Sequence, residues 1–292
     1  MIREGKIKSG PLLEVDFYPV FVDGRRMPDR APKEKRSTKE QEKYNHKQAT
    51  LKFIRIINAN FYTGDHLLTI TYSQECAPQT EEEVRRDIAN YIRRVKTKRR
   101  SELKLVNDLL KDNPKDKRLK QRKKQLEKPF KYAYTLEKVT YQRGRYAGRA
   151  NWHIHMFATG GVSRDDMEDI WHKGIRVNAD RYQPERFGPE SAAKYIIKDP
   201  QGSKRFVCSR NMDKPVKAPP RDDKITRRGL ERLARERADD PEYWERRYKG
   251  YRLLDCYARL NPYNGYWYVS VVMYKTKNEI LPKWEAGTWT SE

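Results

Sequence analysis

Residues 15–22, VDFYPVFV, form a largely apolar run rich in Val and aromatic residues, which predicts a strand. A charged stretch follows from Asp23 to about Thr38. Beyond it, Leu51, Ile54, Ile57 and Phe61 recur at helical spacing, so a helix is expected to begin near Ser37 and to end at Asn58 and Asn60. Residues 66–73, HLLTITYS, alternate and read as a strand. Thr80 followed by Glu81, Glu82 and Glu83 marks a helix start, because the hydroxyl can cap and the acids sit at the positive end of the helix dipole. That helix is expected to reach about Arg100, with two more charged helical segments over about 101–112 and 114–127. Their apolar stripe, Leu103, Val106, Leu109 and Leu110, is thin enough to pack one face only.

From Phe130 the period returns to two. Residues 130–139 and 151–159 predict an antiparallel hairpin joined by a Gly- and Arg-rich connection over 141–149. A short helix from Ser163 to about Lys173, a strand over 175–182, a helix over 189–199 stopped by Pro200, and a strand over 205–209 complete the middle of the chain. This order predicts an α+β fold: a central, mainly antiparallel five-stranded sheet flanked by helices. The expected organisation is an N-terminal extension over 1–50, a central domain over 51–215 with a basic helical insertion at about 80–128, and a C-terminal segment over 216–292. That last segment, with a charged helix over about 226–248 and a Tyr-rich strand over 266–274, is expected to pack on the central domain or extend it.

Composition narrows the partners. Lys and Arg number 64 against 41 Asp and Glu, a net charge of +23, which favours a polyanion because neutralising phosphates releases condensed counterions. No apolar run approaches the roughly 20 residues that span a bilayer, so no membrane role is expected. Cys76, Cys208 and Cys256 are odd in number and far apart, which excludes a disulfide scaffold and suits a reducing cytoplasm. The 19 tyrosines can fill a ring-rich core or offer faces on which bases stack.

The candidate chemistry begins at Asn151-Trp-His-Ile-His-Met-Phe157. In a strand His153 and His155 share one face, while Trp152, Ile154 and Met156 share the other. Two imidazoles one pleat apart can grip a divalent metal, or can simply be solvated on a sheet. In a simple hairpin register Glu137 lies opposite His153, with 139 opposite 151 and 135 opposite 155. Glu137 would then complete a two-His-one-carboxylate set, or form an ordinary cross-strand ion pair. Further on, Tyr195 and Lys198 are three apart in a predicted helix and share a face. A cation beside a phenol favours loss of its proton, as a phosphoryl-transfer nucleophile needs, although a helical tyrosine also serves as packing.

Taken in order, Leu67-Leu-Thr-Ile-Thr-Tyr72, Trp152-His-Ile-His-Met156 and Lys194-Tyr-Ile-Ile-Lys198 resemble the three motifs of the HUH endonucleases, the replication initiators and relaxases of rolling-circle elements. Residues 205–215, RFVCSRNMDKP, are similar to a segment that follows the tyrosine helix in phage- and plasmid-type replication proteins of that group. The resemblance covers roughly 50–215. It implies a ferredoxin-like or RRM-like sheet, His153, His155 and Glu137 as ligands of Mn²⁺ or Mg²⁺, and Tyr195 as the residue that attacks the scissile phosphate. It also implies that Lys198 steadies that phosphate, and that a 5′-phosphotyrosine and a free 3′-hydroxyl result. The implied partners are a single-stranded DNA origin, with or without a stem-loop, and a host helicase or polymerase, in the cytoplasm of a bacterial host. The implied protein is a monomer or weak dimer. The residues four before and four after Tyr195 are Ser191 and Asp199, so the pattern is that of a single-tyrosine enzyme. Termination then needs a second subunit, water, or another tyrosine such as Tyr182.

Six basic residues are expected to contact DNA: Arg143, Arg145 and Arg149 in the hairpin loop, then Lys194, Arg205 and Arg210. His66 is expected to be a loop histidine and His172 to end a helix. Competing functions are the same chemistry in a transposase or conjugative relaxase, and a non-catalytic basic protein that binds single-stranded nucleic acid.

Overall fold

A computed structural model describes residues 1–21, 39–174, 176–182, 193, 196–197 and 202–276. In chain order the elements are β1 (Ile2–Ser9), β2 (Leu12–Pro19), α1 (Lys39–Asn60), β3 (His66–Thr71), α2 (Glu81–Asp112), α3 (Lys117–Glu127), β4 (Tyr132–Thr140) and β5 (Ala150–Ala158). They continue with α4 (Arg164–Asp169), β6 (Arg176–Arg181), β7 (Val207–Cys208), β8 (Val216–Lys217), α5 (Arg227–Glu236), α6 (Pro241–Arg247), β9 (Tyr251–Asn261) and β10 (Tyr266–Lys275). The fold is α+β, with two five-stranded sheets whose strand pairs are all antiparallel. The chain divides into two compact units, Ala49–Asp213 and the two ends Met1–Gln48 with Lys214–Glu292.

In the central unit the strands lie in the order β6-β3-β5-β4-β7. One face is buried by α2, whose Val84, Ile88, Tyr91, Ile92 and Val95 fall on one helical stripe and pack with Leu68, Ile70, Leu136, Ile154 and Met156. The opposite face is covered by Phe53, Ile54 and Ile57 of α1 and by Phe61 just after it, together with Ala193, Ile196 and Ile197, all packed near Phe157 and Tyr182. Thr80 opens α2 with a capping box, its hydroxyl accepting from Glu83 N while the Glu83 carboxylate accepts from Thr80 N. The helix then runs unbroken to Asp112, where two segments were expected. No Gly or Pro interrupts 81–112, and Glu102 is held by Lys98 on α2 and by Arg122 on α3, so Ser101 does not begin a new helix.

The end segments depart from expectation more. They form a sheet of their own, in the order β8-β1-β2-β10-β9, instead of extending the central one. β10 pairs with β2 through Val269–Phe17, Val271–Val15 and Met273–Leu13, and Leu230, Leu233 and Trp244 pack with these residues. β1 escaped the pattern because its buried position 4 is glutamate, which accepts from the Tyr248 hydroxyl and faces Lys6 and Arg247. The helix expected over 226–248 is broken in two, because Asp240 caps a new helix with Pro241 in its first turn. Among the described residues no helix is long and apolar enough to cross a membrane, and the three cysteines are unpaired.

Candidate functional site

β5 carries the site because its alternation is sharp. Trp152, Ile154 and Met156 are drawn into the α2-side cluster, so His153 and His155 must emerge on the opposite face. β4 meets β5 in the register expected, with Glu137 opposite His153, Thr135 opposite His155 and Val139 opposite Asn151. On the other side β3 sets Thr71 against His153 and Thr69 against His155. Paired residues share a face, so Glu137, Thr135, Thr69 and Thr71 surround the two imidazoles.

The contacts are specific. His155 is 5% exposed, with Nε2 2.9 Å from Glu137 Oε2 and Nδ1 3.3 Å from Thr69 Oγ1. His153 Nε2 is buried with no hydrogen-bond partner among the described residues. Burial holds the His153 pKa below the ordinary imidazole range; the adjacent His155 lowers it further and Glu137 opposes both. A neutral imidazole with an uncommitted buried nitrogen, beside a second imidazole and a carboxylate, is a donor set that fits a divalent cation. Among the described residues no three His, Cys, Asp or Glu side chains stand grouped to hold a metal as they are placed. Glu137 is turned onto His155, and that contact must open for the two to share an ion.

The depressed His153 pKa has a stability consequence. Below about pH 6.5 the unfolded chain takes up a proton that the folded chain resists, so stability falls with falling pH. The urea midpoint is therefore expected to drop between pH 7.5 and pH 5.5, and by less in His153→Asn. Equal drops in both proteins would contradict this placement of His153. Burial lowers the His66 pKa as well, so part of the drop remains in the variant.

Tyr195, Lys198 and Lys194 lie outside the described residues. Their immediate neighbours do not. Ala193, Ile196 and Ile197 are buried, and Ile197 N donates to Ala193 O at 3.2 Å, the spacing of a helical turn. Thr135 Oγ1, 1% exposed, donates to Ile196 O at 2.9 Å. The residue after Tyr195 is thus fastened to the strand position directly across from His155. Downstream, Ser203 is tied to the first turn of α2 by its N and Oγ, both donating to Glu81. Thr135→Val keeps the shape but strands a buried carbonyl, and is expected to cost about 1–3 kcal/mol by urea unfolding. A loss below about 0.5 kcal/mol would show that this bond does not hold the segment.

The hairpin loop adopts a defined conformation. Tyr141 N donates to Arg149 O, Gly148 N to Tyr141 O, and Gly144 and Gly148 take φ of 82° and 80°, where only glycine is unstrained. Arg143, Arg145 and Arg149 are exposed, and the guanidiniums of Arg145 and Arg149 lie 6.0 and 5.9 Å from the Tyr146 ring. The loop leaves the sheet three residues beyond Glu137. Arg205 is half-buried and Arg210 exposed, on either side of β7.

Three expectations are corrected. His66 begins β3, as the strand expected over 66–73 requires, and does not behave as a loop histidine: it is 3% exposed, and its Nε2 donates to Val162 O at 3.0 Å on the face away from His153. His172 does not end a helix, since α4 stops at Asp169 and His172 is exposed beyond it. Tyr182 is a core ring, buried edge-on to Phe157 at 5.4 Å, which unfits it as a freely accessible second nucleophile. Two residues were missed. Thr135 was legible as the partner of His155, though not as the anchor of Ile196. Asn151, fully buried, donates to Tyr72 O and Tyr141 Oη and so joins the end of β3 to the hairpin loop. No protein-family model, no curated protein and no solved structure matches this chain.

Proposed function

We propose that this chain is a metal-dependent single-strand DNA nickase and strand transferase of the HUH type that initiates rolling-circle replication. The observation that carries the reading is the Thr135–Ile196 hydrogen bond, which fastens the neighbour of Tyr195 opposite His155. His153, His155 and Glu137 would hold Mn²⁺ or Mg²⁺. Bound there, the ion would polarise a non-bridging phosphate oxygen. Tyr195 Oη attacks the phosphorus, an O–P bond forms, and the bond from phosphorus to the 3′-oxygen breaks. The phenol proton passes to solvent and the departing 3′-oxygen takes one up. A 5′-phosphotyrosine and an extendable 3′-hydroxyl result. Lys198 supplies positive charge that favours the phenolate, and Arg143, Arg145, Arg149, Lys194, Arg205 and Arg210 take phosphates of the strand. Because Tyr182 is buried, termination falls to a second copy or to water. The partners are a single-stranded origin and a host helicase or polymerase, in the cytoplasm of a bacterial cell.

One observation favours the second reading, a binder without chemistry. His155 is engaged at both nitrogens by Glu137 and Thr69, as a purely structural imidazole would be. The two readings separate on a denaturing gel. A pool of 3′-labelled single-stranded oligonucleotides with Mn²⁺ is expected to give a labelled protein band that EDTA abolishes. Retarded native bands with no such adduct at any sequence in the pool would establish the binder.

A further inference from the structure

The end sheet has an unusual distribution of exposed rings. Nine large hydrophobic side chains are exposed among the described residues, and six of them, Met1, Phe21, Val216, Tyr257, Leu260 and Tyr263, lie in or next to the strands of the sheet formed by the chain ends. Tyr263 is 97% and Phe21 62% exposed. Tyr263 sits in the β9–β10 hairpin turn, where Gly265 N donates to Asn261 O and Tyr263 N to Asn261 Oδ1, so the turn holds Tyr263 out from a fixed backbone. Phe21 meets Tyr266 edge-on at 5.3 Å.

Arginines interleave with these rings. The Arg227 guanidinium lies 4.3 Å from the centre of the Tyr266 ring and donates to Gly265 O, and Arg235 lies 5.4 Å from the Trp267 ring. Arg235 is paired with Glu231 at 3.2 Å, whereas Arg227 is in no such pair among the described residues. The three segments that build this end, 17–21, 225–230 and 257–268, contain Arg227, Arg228 and Arg259 and no acidic residue. An exposed apolar cluster of this kind marks an interaction surface. Its chemistry selects the partner. Rings alone suit many proteins, but exposed rings beside the exposed guanidinium of Arg227 suit a strand presenting both bases and phosphates.

We propose that the hairpin end of this second sheet, formed by Phe21, Tyr263, Tyr266, Arg227 and Arg228, is a stacking surface for single-stranded DNA. The site lies in the unit that does not carry His153 and His155, so it goes beyond the nicking reading and does not require it. Bases stack on the rings irrespective of sequence, and the arginines take the phosphates between them. The effect is to retain a strand whether or not it has been cut.

The test uses the full chain carrying Tyr195→Phe, so that binding is measured without cleavage. Fluorescence anisotropy compares a labelled dT20 oligonucleotide with an abasic strand of the same length. The protein is expected to prefer dT20, and Phe21→Ser with Tyr263→Ser is expected to weaken dT20 binding about tenfold per ring while leaving the abasic strand unaffected. Both side chains are exposed, so these changes spare the fold; an unchanged melting temperature checks this. Arg227→Gln is expected to weaken both strands and to lower the salt slope by about one. Equal affinity of the parent protein for the two strands overturns the proposal. So does a double variant that binds dT20 as before but changes the mass in light scattering, which makes the patch a contact between copies. Lower melting with unchanged DNA binding also overturns it, since the patch is then covered by the chain itself.

Discussion

Tyr195→Phe is expected to abolish the covalent protein–DNA adduct, lowering its rate of formation by at least about three orders of magnitude while leaving DNA affinity within about twofold. The asymmetry follows from what the substitution removes. Phenylalanine keeps the ring and loses the one oxygen that, on the proposed reading, forms the bond to phosphorus, whereas affinity for the strand would rest on basic and aromatic side chains that the change leaves in place. His153→Ala should also suppress the adduct, through a different route: it removes a donor that is buried and uncommitted, and so should weaken Mn²⁺ binding measured by calorimetry without DNA. A Tyr195→Phe protein that still forms the adduct at the parent rate assigns the chemistry elsewhere. The many tyrosines of this chain make that control necessary.

Arg99→Met is expected to be among the most destabilising single changes in the central unit, at about 3–5 kcal/mol. Arg99 is buried, and its guanidinium donates to the carbonyls of Gly160, Gln125, Leu126 and Lys128. Three of these lie at the C-terminal end of α3, where helical carbonyls lack partners, and the fourth lies in the turn after β5. One side chain therefore pins the basic insertion to the strand that bears His153 and His155. Methionine matches the length of the stem and leaves all four carbonyls unserved. A fall in melting temperature on the order of 10 °C is expected by circular dichroism. Lysine should recover little, since its single ammonium cannot reach four acceptors spread around a planar fork. Gly161 is linked to the same feature: its φ is 110°, and a Cβ there would fall 2.7 Å from Arg99 Nη1. A loss below about 1 kcal/mol for Arg99→Met would show that water serves these carbonyls instead.

The central unit was legible because its apolar periods are clean. β5 alternates from Trp152 to Met156, and α2 repeats its stripe after an unambiguous cap, so the face shared by His153 and His155 followed from side-chain alternation, and a simple hairpin register was enough to set Glu137 opposite His153. The end sheet was not legible, because its strands hide behind polar residues with partners remote in sequence. Glu4 occupies a core position only because Tyr248, some 240 residues later, supplies its hydrogen bond. Likewise β2 was read with no partner assigned, since β1 beside it went unrecognised and its other neighbour, β10, lies at the other end of the chain. Local periodicity carries no signal of such pairings. The anchoring of Ile196 by Thr135 belongs to the same class: the threonine was visible, its acceptor was not.

The account depends on the Tyr195 phenol being the atom that takes the phosphate. Trypsin cuts after Lys194 and Lys198, releasing Tyr195-Ile-Ile-Lys198 as a tetrapeptide. The most direct measurement is tandem mass spectrometry of the adduct after nuclease and trypsin digestion. A nucleotide joined through its 5′-phosphate to Tyr195 in that tetrapeptide is the predicted result. The same nucleotide on any other peptide, with Tyr195-Ile-Ile-Lys198 recovered unmodified, would contradict it.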